Sequence, residues 1–495
     1  MLDLSQRVLE IKGRFEVYSL YTHLRERFDP PYSFLLESID VSGEGRLYSY
    51  ICLEPDFLLQ IDKERLSFPE ILSEGGDRIV DHIRTQGEEK KQRDAAFDDR
   101  VEYDIGALEV LSKAFPYNNT RRPEIFSRQV FYGGFIGYLG WDILAPWAGF
   151  KRRAETPDIL LGFNTKVLIY DHGSNKLYLV DNSLNGEGSN VDNYRSALEN
   201  YSSVKPLDFD KLRMSGEDGI SNMSREEFMR MVTNTKEYIY SGDIFQAVVS
   251  RRIDIPNVEV GDLEIYRVLR ELNPSPYMYY LDFGDPRFIG CSPEALLTIN
   301  GRKMVTVPIA GTRKRGETPE EDREMERELM NDPKERAEHV MLVDLARNDL
   351  AKVSNPGTVK PSIFMVPRRY KNVMHIVTVV EGIRRKKLNS FDVLKSVFPA
   401  GTVSGAPKLR AIEIIEEQEK DPRGPYAGVI GYVSLNQDCD WAITIRTIQL
   451  MHDRAMVQVG SGIVADSRPE LEWKETKNKA RSLLMAVGMA RQLGA

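Results

Sequence analysis

Apolar positions along the second half of the chain recur with two periods, and the switches between them mark out the elements. Short runs dense in β-branched and aromatic residues predict strands over residues 245–251, 304–309, 376–380, 429–435, 442–450 and 456–459. Apolar residues three and four apart predict helices over 320–330, 333–349, 408–419 and 470–492. Two of these open with a capping residue and a first-turn proline, at Thr318-Pro319 and Asp332-Pro333. In the first half, Val167-Leu168-Ile169-Tyr170 and Leu177-Tyr178-Leu179-Val180 flank a polar turn and predict a hairpin. The run Gly133-Gly134-Phe135-Ile136-Gly137-Tyr138-Leu139-Gly140 has glycines that let backbones approach closely, which suits tight sheet packing. No phosphate-binding lysine or capped helix follows it, so it resembles a nucleotide loop only superficially. Residues 182–190 read as a connector, and 207–222 as a linker into a helix start at Ser224-Arg225-Glu226-Glu227. The pattern predicts an α+β protein with large sheets covered by helices, divided into an N-terminal domain over 1–222 and a second domain over 223–495.

Composition narrows the class. A chain of 495 residues exceeds one typical core, and 41% hydrophobic with 29% charged residues describes a soluble globular protein. A net charge of -8 argues against general nucleic-acid binding. No apolar run approaches the ~20 residues that span a bilayer, and Met1-Leu2-Asp3-Leu4-Ser5 has no basic-then-apolar signal pattern. Cys52, Cys291 and Cys439 are scattered and odd in number, which gives neither a disulfide framework nor a zinc site. A reducing cytoplasm is the expected setting.

Two predicted helices carry acids where apolar residues are expected. Glu335, Glu338, Leu342 and Leu345 share one face of the first; Glu472, Glu475, Lys479, Leu483, Ala486 and Ala490 share one face of the second. Carboxylates on a core-facing stripe are costly unless paired or metal-bound. Two such helices facing each other would form an all-oxygen site suited to Mg2+ with positions left for an anionic substrate. Each residue also has a plain structural reading. Asp332-Pro333-Lys334-Glu335 looks like an N-cap with a capping-box glutamate, and Glu475 with Lys479 like an exposed pair one turn apart.

Three motifs carry a resemblance: Pro308-Ile309-Ala310-Gly311-Thr312-Arg313, the segment from Glu338-His339 to Asn348-Asp349, and Gly401-Thr402-Val403-Ser404-Gly405-Ala406-Pro407-Lys408. In this order across residues 224–495 they resemble the chorismate-utilising enzymes, most closely the large-subunit branch that makes anthranilate. The similarity extends to Leu35-Leu36-Glu37-Ser38 and Gly133–Asp142 in the first half. The resemblance implies antiparallel sheets packed in a sandwich, with a regulatory and structural N-terminal domain and a chorismate-binding catalytic one. It implies Mg2+ held by Glu338 and Glu475, with Glu335 and Glu472 behind them, receiving the ring carboxylate of chorismate. Tyr426 and Arg446 match positions that bind the second carboxylate; Gly311, Thr312, Gly460, Ser461 and Gly462 would add backbone donors, and Lys479 a counter-charge. Glu294 matches the acid that protonates the departing hydroxyl, His375 a functionally important histidine, and Thr402 a residue that orients the substrate. Read without the resemblance, Gly460-Ser461-Gly462 is a turn, Glu294 and Tyr426 are loop residues, and His375 is a satisfied core histidine.

Two positions separate the branches. Isochorismate- and salicylate-forming relatives carry a water-activating lysine where Gln246 stands, and aminodeoxychorismate synthases often carry a nucleophilic lysine where Ala310 stands. The resemblance therefore implies attack by ammonia, then loss of pyruvate, to give anthranilate at the first step of tryptophan biosynthesis. Two alternatives stay open: an aminodeoxychorismate synthase subunit, and a non-catalytic tryptophan-binding homologue. No cysteine sits in the elbow motif of a glutamine amidotransferase, so a separate small subunit is expected to supply ammonia within a hetero-oligomer. Leu36, Glu37 and Ser38, with Pro276, Tyr277 and Met278, resemble the two segments that enclose feedback tryptophan.

Overall fold

Among the described residues the strands pair into two sheets of twelve strands each, and every pairing within a sheet is antiparallel. The computed structural model describes residues 4–38, 48–63, 65–88, 101–102, 107–115, 121–126, 128–184, 191–209, 212, 219–258, 260–371 and 373–493. One sheet runs from Arg7–Ile11 through Lys176–Asp181, Lys166–Asp171, Tyr48–Leu53, Ser33–Glu37, Tyr277–Asp282, Arg287–Ser292, Thr447–Met451 and Arg454–Ile463 to Gln246–Ile255 and the short edge Ile220–Ser221. The other runs from Ile309–Lys314 and Val373–Ile383 through Lys303–Thr306, Ala295–Asn300, Cys439–Ile443 and Val429–Ser434 to Gly134–Leu139, Ile159–Asn164 and Phe57–Asp62.

Both sheets draw strands from either side of residue 222. Ser33–Glu37 pairs with Tyr277–Asp282, placing Leu36 opposite Tyr279, and Gly134–Leu139 pairs with Val429–Ser434, placing Gly137 opposite Gly431. A Cβ on Gly137 would lie 2.1 Å from the Leu160 carbonyl oxygen, the close backbone approach expected of the glycine-rich run. Of the predicted connectors, residues 185–190, 210–211 and 213–218 lie outside the described residues.

Strand alternation divides the apolar side chains between two cores. From Tyr277–Asp282, Tyr279 and Leu281 enter a core shared with Phe57, Tyr138 and Phe163 of the other sheet. Met278 and Tyr280 instead join Leu20 and Tyr21 of the helix Val17–Phe28, Leu269 of Asp262–Leu272 and Leu483 of Pro469–Ala490. Helix starts follow the caps read from the chain. Ser224 and Thr318 form capping boxes with Glu227 and Glu321, and Asp332 accepts from the N–H groups of Lys334 and Glu335. No helix among the described residues is long and apolar enough to cross a membrane.

Two predicted strands are each divided in the structure. Residues 304–309 break before Ile309, next to Pro308, which cannot donate to a ladder. Residues 442–450 break after Ile443, and the chain resumes at Thr447 once Arg446 has taken a left-handed conformation at φ 53°. No glycine or asparagine announces that turn in the sequence.

Candidate active site

Helices Pro333–Val353 and Pro469–Ala490 bring the two acid clusters to one region. The carboxyl of Glu338 is raised above the ordinary range, first by burial and then by the charges of Glu335 and Glu475. It accepts from Gln246 Nε2 at 3.4 Å, while Gln246 Oε1 is buried without a partner. The Glu335 carboxylate is bound by Arg313 at 3.0 Å and does not reach back to the N-cap backbone, so the capping-box reading of Glu335 gives way to an ion pair. Glu472 accepts from the Ser461 hydroxyl. Glu475 does pair with Lys479, at 2.7 Å, but Lys479 Nζ also reaches the Gly460 carbonyl at 2.9 Å, which ties the helix to the sheet. Among the described residues no three His, Cys, Asp or Glu side chains converge on one point. The donor set is a two-carboxylate one, and it fits Mg2+, which commonly takes one or two carboxylates and leaves its remaining positions to water and substrate.

Gly460, Ser461 and Gly462 lie inside the strand Arg454–Ile463, opposite Ser250, Val249 and Val248, and not in a turn after it. Pairing with Thr447–Met451 on the other edge stops at Val457. Because Lys479 meets the Gly460 carbonyl on that open edge, strand alternation points the N–H groups of Gly460 and Gly462 the same way. The Ser461 side chain is turned to the other face, towards Glu472. A Cβ on Gly460 would lie 2.7 Å from the Tyr426 hydroxyl, and one on Gly462 2.7 Å from Gln246 Nε2. Both positions thus require glycine for space. Burial pushes the Tyr426 hydroxyl up to about 12, so it stays a hydrogen-bond donor. Arg446 donates through Nη1 to the Lys479 carbonyl at 3.0 Å, leaving guanidinium N–H groups for a carboxylate.

His375, on Val373–Ile383, has Nδ1 at 2.7 Å from the Gly311 carbonyl and 3.1 Å from the Thr312 hydroxyl. A carbonyl only accepts, so Nδ1 carries the proton and Nε2 presents a lone pair. Burial holds the imidazole below its ordinary pKa and keeps it neutral. Gly311 adopts φ 66°, where its missing Cβ leaves room for Leu329 and Glu335. Thr402 donates to Glu294 at 2.9 Å. Burial drives the Glu294 carboxyl up to about 8, although Thr402 and Lys479 oppose the shift. Arg313, the last residue of the 308–313 motif, holds Glu335, and the sequence spacing of the two gives no hint of the pair.

The geometry brings acids, cations and glycine-shaped space within electrostatic reach of one another, and comparison with known proteins identifies the family. Residues 76–485 match the family described as chorismate binding enzyme. The chain belongs to the chorismate binding enzymes. It is 38% identical to anthranilate synthase component 1 of Aquifex aeolicus over 99% of both chains, and 39% identical to that of Neisseria gonorrhoeae over 96% of this chain and 93% of the relative. Anthranilate synthase component I from Streptococcus pneumoniae TIGR4 superposes with a TM-score of 0.73 at 32% identity, covering 90% of this chain and 94% of that one. The menaquinone-specific isochorismate synthase of Escherichia coli shares the fold at 19% identity and a TM-score of 0.65. A chorismate binding enzyme must accommodate two carboxylates, and this site presents Arg446 and Lys479 beside the acid clusters of its two helices.

Proposed function

We propose that the chain converts chorismate and ammonia to anthranilate, pyruvate and water. The observation that carries the choice among chorismate reactions is the pair Gln246 and Ala310. Gln246 is buried, neutral and held by Glu338, and Ala310 is buried in its strand, so neither position offers a base or nucleophile. Attack then falls to an external amine. Glu338 and Glu475 would hold Mg2+, which when bound neutralises the ring carboxylate and draws electron density from the ring. Arg446, Tyr426 and the open edge at Gly460 and Gly462 hold the second carboxylate. Glu294 keeps its proton at neutral pH and delivers it to the leaving hydroxyl as ammonia adds, so that water departs. His375, neutral with Nε2 free, accepts the ring proton as the enolpyruvyl group leaves and the ring becomes aromatic.

Ammonia would come from a separate glutamine amidotransferase subunit, a reading supported by the relatives' designation as component 1 and by this chain's cysteines. Cys52, Cys291 and Cys439 are all buried, and burial raises each thiol, Cys291 to about 12. None is fit to attack glutamine. With purified chain, chorismate, Mg2+ and an ammonium salt at alkaline pH, fluorescent anthranilate is expected, lost on chelation of the metal. Aminodeoxychorismate as the sole amine would assign the chain to the other amination branch.

Tryptophan is the proposed feedback inhibitor. Met278 stands directly opposite Glu37 in the sheet, so residues 36–38 and 276–278 are neighbours. Glu37 is buried and engaged by Tyr266 at 2.6 Å and by two nitrogens of Arg270 at 2.9 Å. It therefore acts there as a fixed wall of the site. Saturating tryptophan should lower the rate through an arrangement it binds more tightly; an unchanged rate would remove this assignment.

A further inference from the structure

Arg446 occupies a costly conformation. A non-glycine residue at φ 53° is disfavoured and persists only where its surroundings hold it. Two donors of one residue meet its carbonyl: the Cys291 backbone N–H at 3.1 Å and the Cys291 thiol at 3.6 Å. The next side chain adds a second tie, since the Ser292 hydroxyl donates to the Ile443 carbonyl at 2.7 Å. These bonds fasten the strand Arg287–Ser292 to both ends of the break that Arg446 turns.

The thiol has a support of its own. Asn273 Nδ2 lies 3.3 Å from Cys291 Sγ and 3.4 Å from Ser482 Oγ, on the same helix as Glu475 and Lys479. The amide N–H donates to sulfur, which leaves the thiol hydrogen directed at the Arg446 carbonyl. Burial keeps that thiol protonated and able to donate. Arg446 is thus gripped at both ends, its carbonyl through Cys291 and its guanidinium through the Lys479 carbonyl, and both grips lead to the helix Pro469–Ala490.

We propose that Cys291, braced by Asn273, is a positioning residue that aims the Arg446 guanidinium at the substrate carboxylate. The inference rests on the reading of Arg446 as the carboxylate ligand. An apolar residue of similar size at 291 would fill the same space and lose only the donor.

The test is steady-state kinetics with ammonium as amine, together with thermal midpoints, on Cys291→Ala, Cys291→Ser, Asn273→Ala and Arg446→Lys. Cys291→Ala should raise KM for chorismate about fivefold, the worth of one buried hydrogen bond of modest strength, with kcat within about twofold. Cys291→Ser restores a donor and should recover most of KM, and Asn273→Ala should move KM in the same direction as Cys291→Ala. Arg446→Lys separates the two layers of the argument. Unchanged KM in that variant overturns the carboxylate assignment. A raised KM there with an unchanged KM in Cys291→Ala overturns the positioning role alone. A KM rise equal in the Ala and Ser variants, or one that merely tracks a fall in thermal midpoint, also overturns it.

Discussion

Glu338→Gln is expected to abolish anthranilate formation, lowering kcat at least about a thousandfold, while leaving the fold intact. The loss would follow from the proposed Mg2+ site: with Glu338 as a metal ligand, several kcal/mol of charge stabilisation would depend on an anion at this position, and each 1.36 kcal/mol is worth about tenfold in rate. The survival of the fold follows from the surroundings of Glu338. Burial and the charges of Glu335 and Glu475 oppose its ionisation, so without metal the charge is a net cost to the folded chain. An amide of the same shape removes that cost and can still meet Gln246. Fluorescence assays across Mg2+ concentrations, beside thermal melts with and without the metal, check both halves. Near-normal turnover would take Glu338 out of the metal site, and a large fall in the metal-free melting temperature would assign it a structural role instead.

Glu294→Gln carries the second large effect. The glutamine keeps a hydrogen bond to Thr402 but has no acidic proton, so kcat should fall by about a hundredfold or more. The wild-type acid should also leave its mark on the pH profile. With its carboxyl raised to about 8, Glu294 is protonated below that pH and ionised above it. At a fixed concentration of free ammonia, kcat should decline as pH rises through about 8, and the residual rate of the variant should not. Wild-type stability falls with rising pH as well, over a window that begins lower. Burying the ionised carboxylate costs the folded state nothing below the unfolded value near 4.5, increasingly more between there and about 8, and a constant amount above. The variant should therefore melt with the wild type in acid and above it in alkaline buffer. A wild-type kcat flat through pH 9 would show that another group supplies the proton.

Much of this site is readable from the chain because its parts obey local rules. Acids at helical spacing on an apolar stripe, caps before prolines, and alternating runs each have a chemical cause that acts within a few residues. The parts that escape notice depend on contacts between distant segments. Nothing beside Glu335 reveals that Arg313 will take its carboxylate in place of the N-cap, because the pair forms only when strand Ile309–Lys314 meets helix Pro333–Val353. The division of residues 442–450 is hidden for a related reason. Its β-branched residues favour a continuous strand, and Arg446 turns against its own preference where bonds from distant segments, among them Cys291 and Lys479, hold the chain. Likewise Gly460-Ser461-Gly462 has the composition of a turn, yet it extends in a ladder because Gln246–Ile255 lies alongside.

The interleaving of early and late strands sets the order of events during synthesis on the ribosome. Strand Ser33–Glu37 has no partner on one edge until Tyr277–Asp282 has emerged, and Gly134–Leu139 waits still longer for Val429–Ser434. The emerging chain must carry unpaired apolar edges for most of translation, a state prone to aggregation and attractive to chaperones. A nascent chain released near residue 222 would hold strands of both sheets and the closed form of neither.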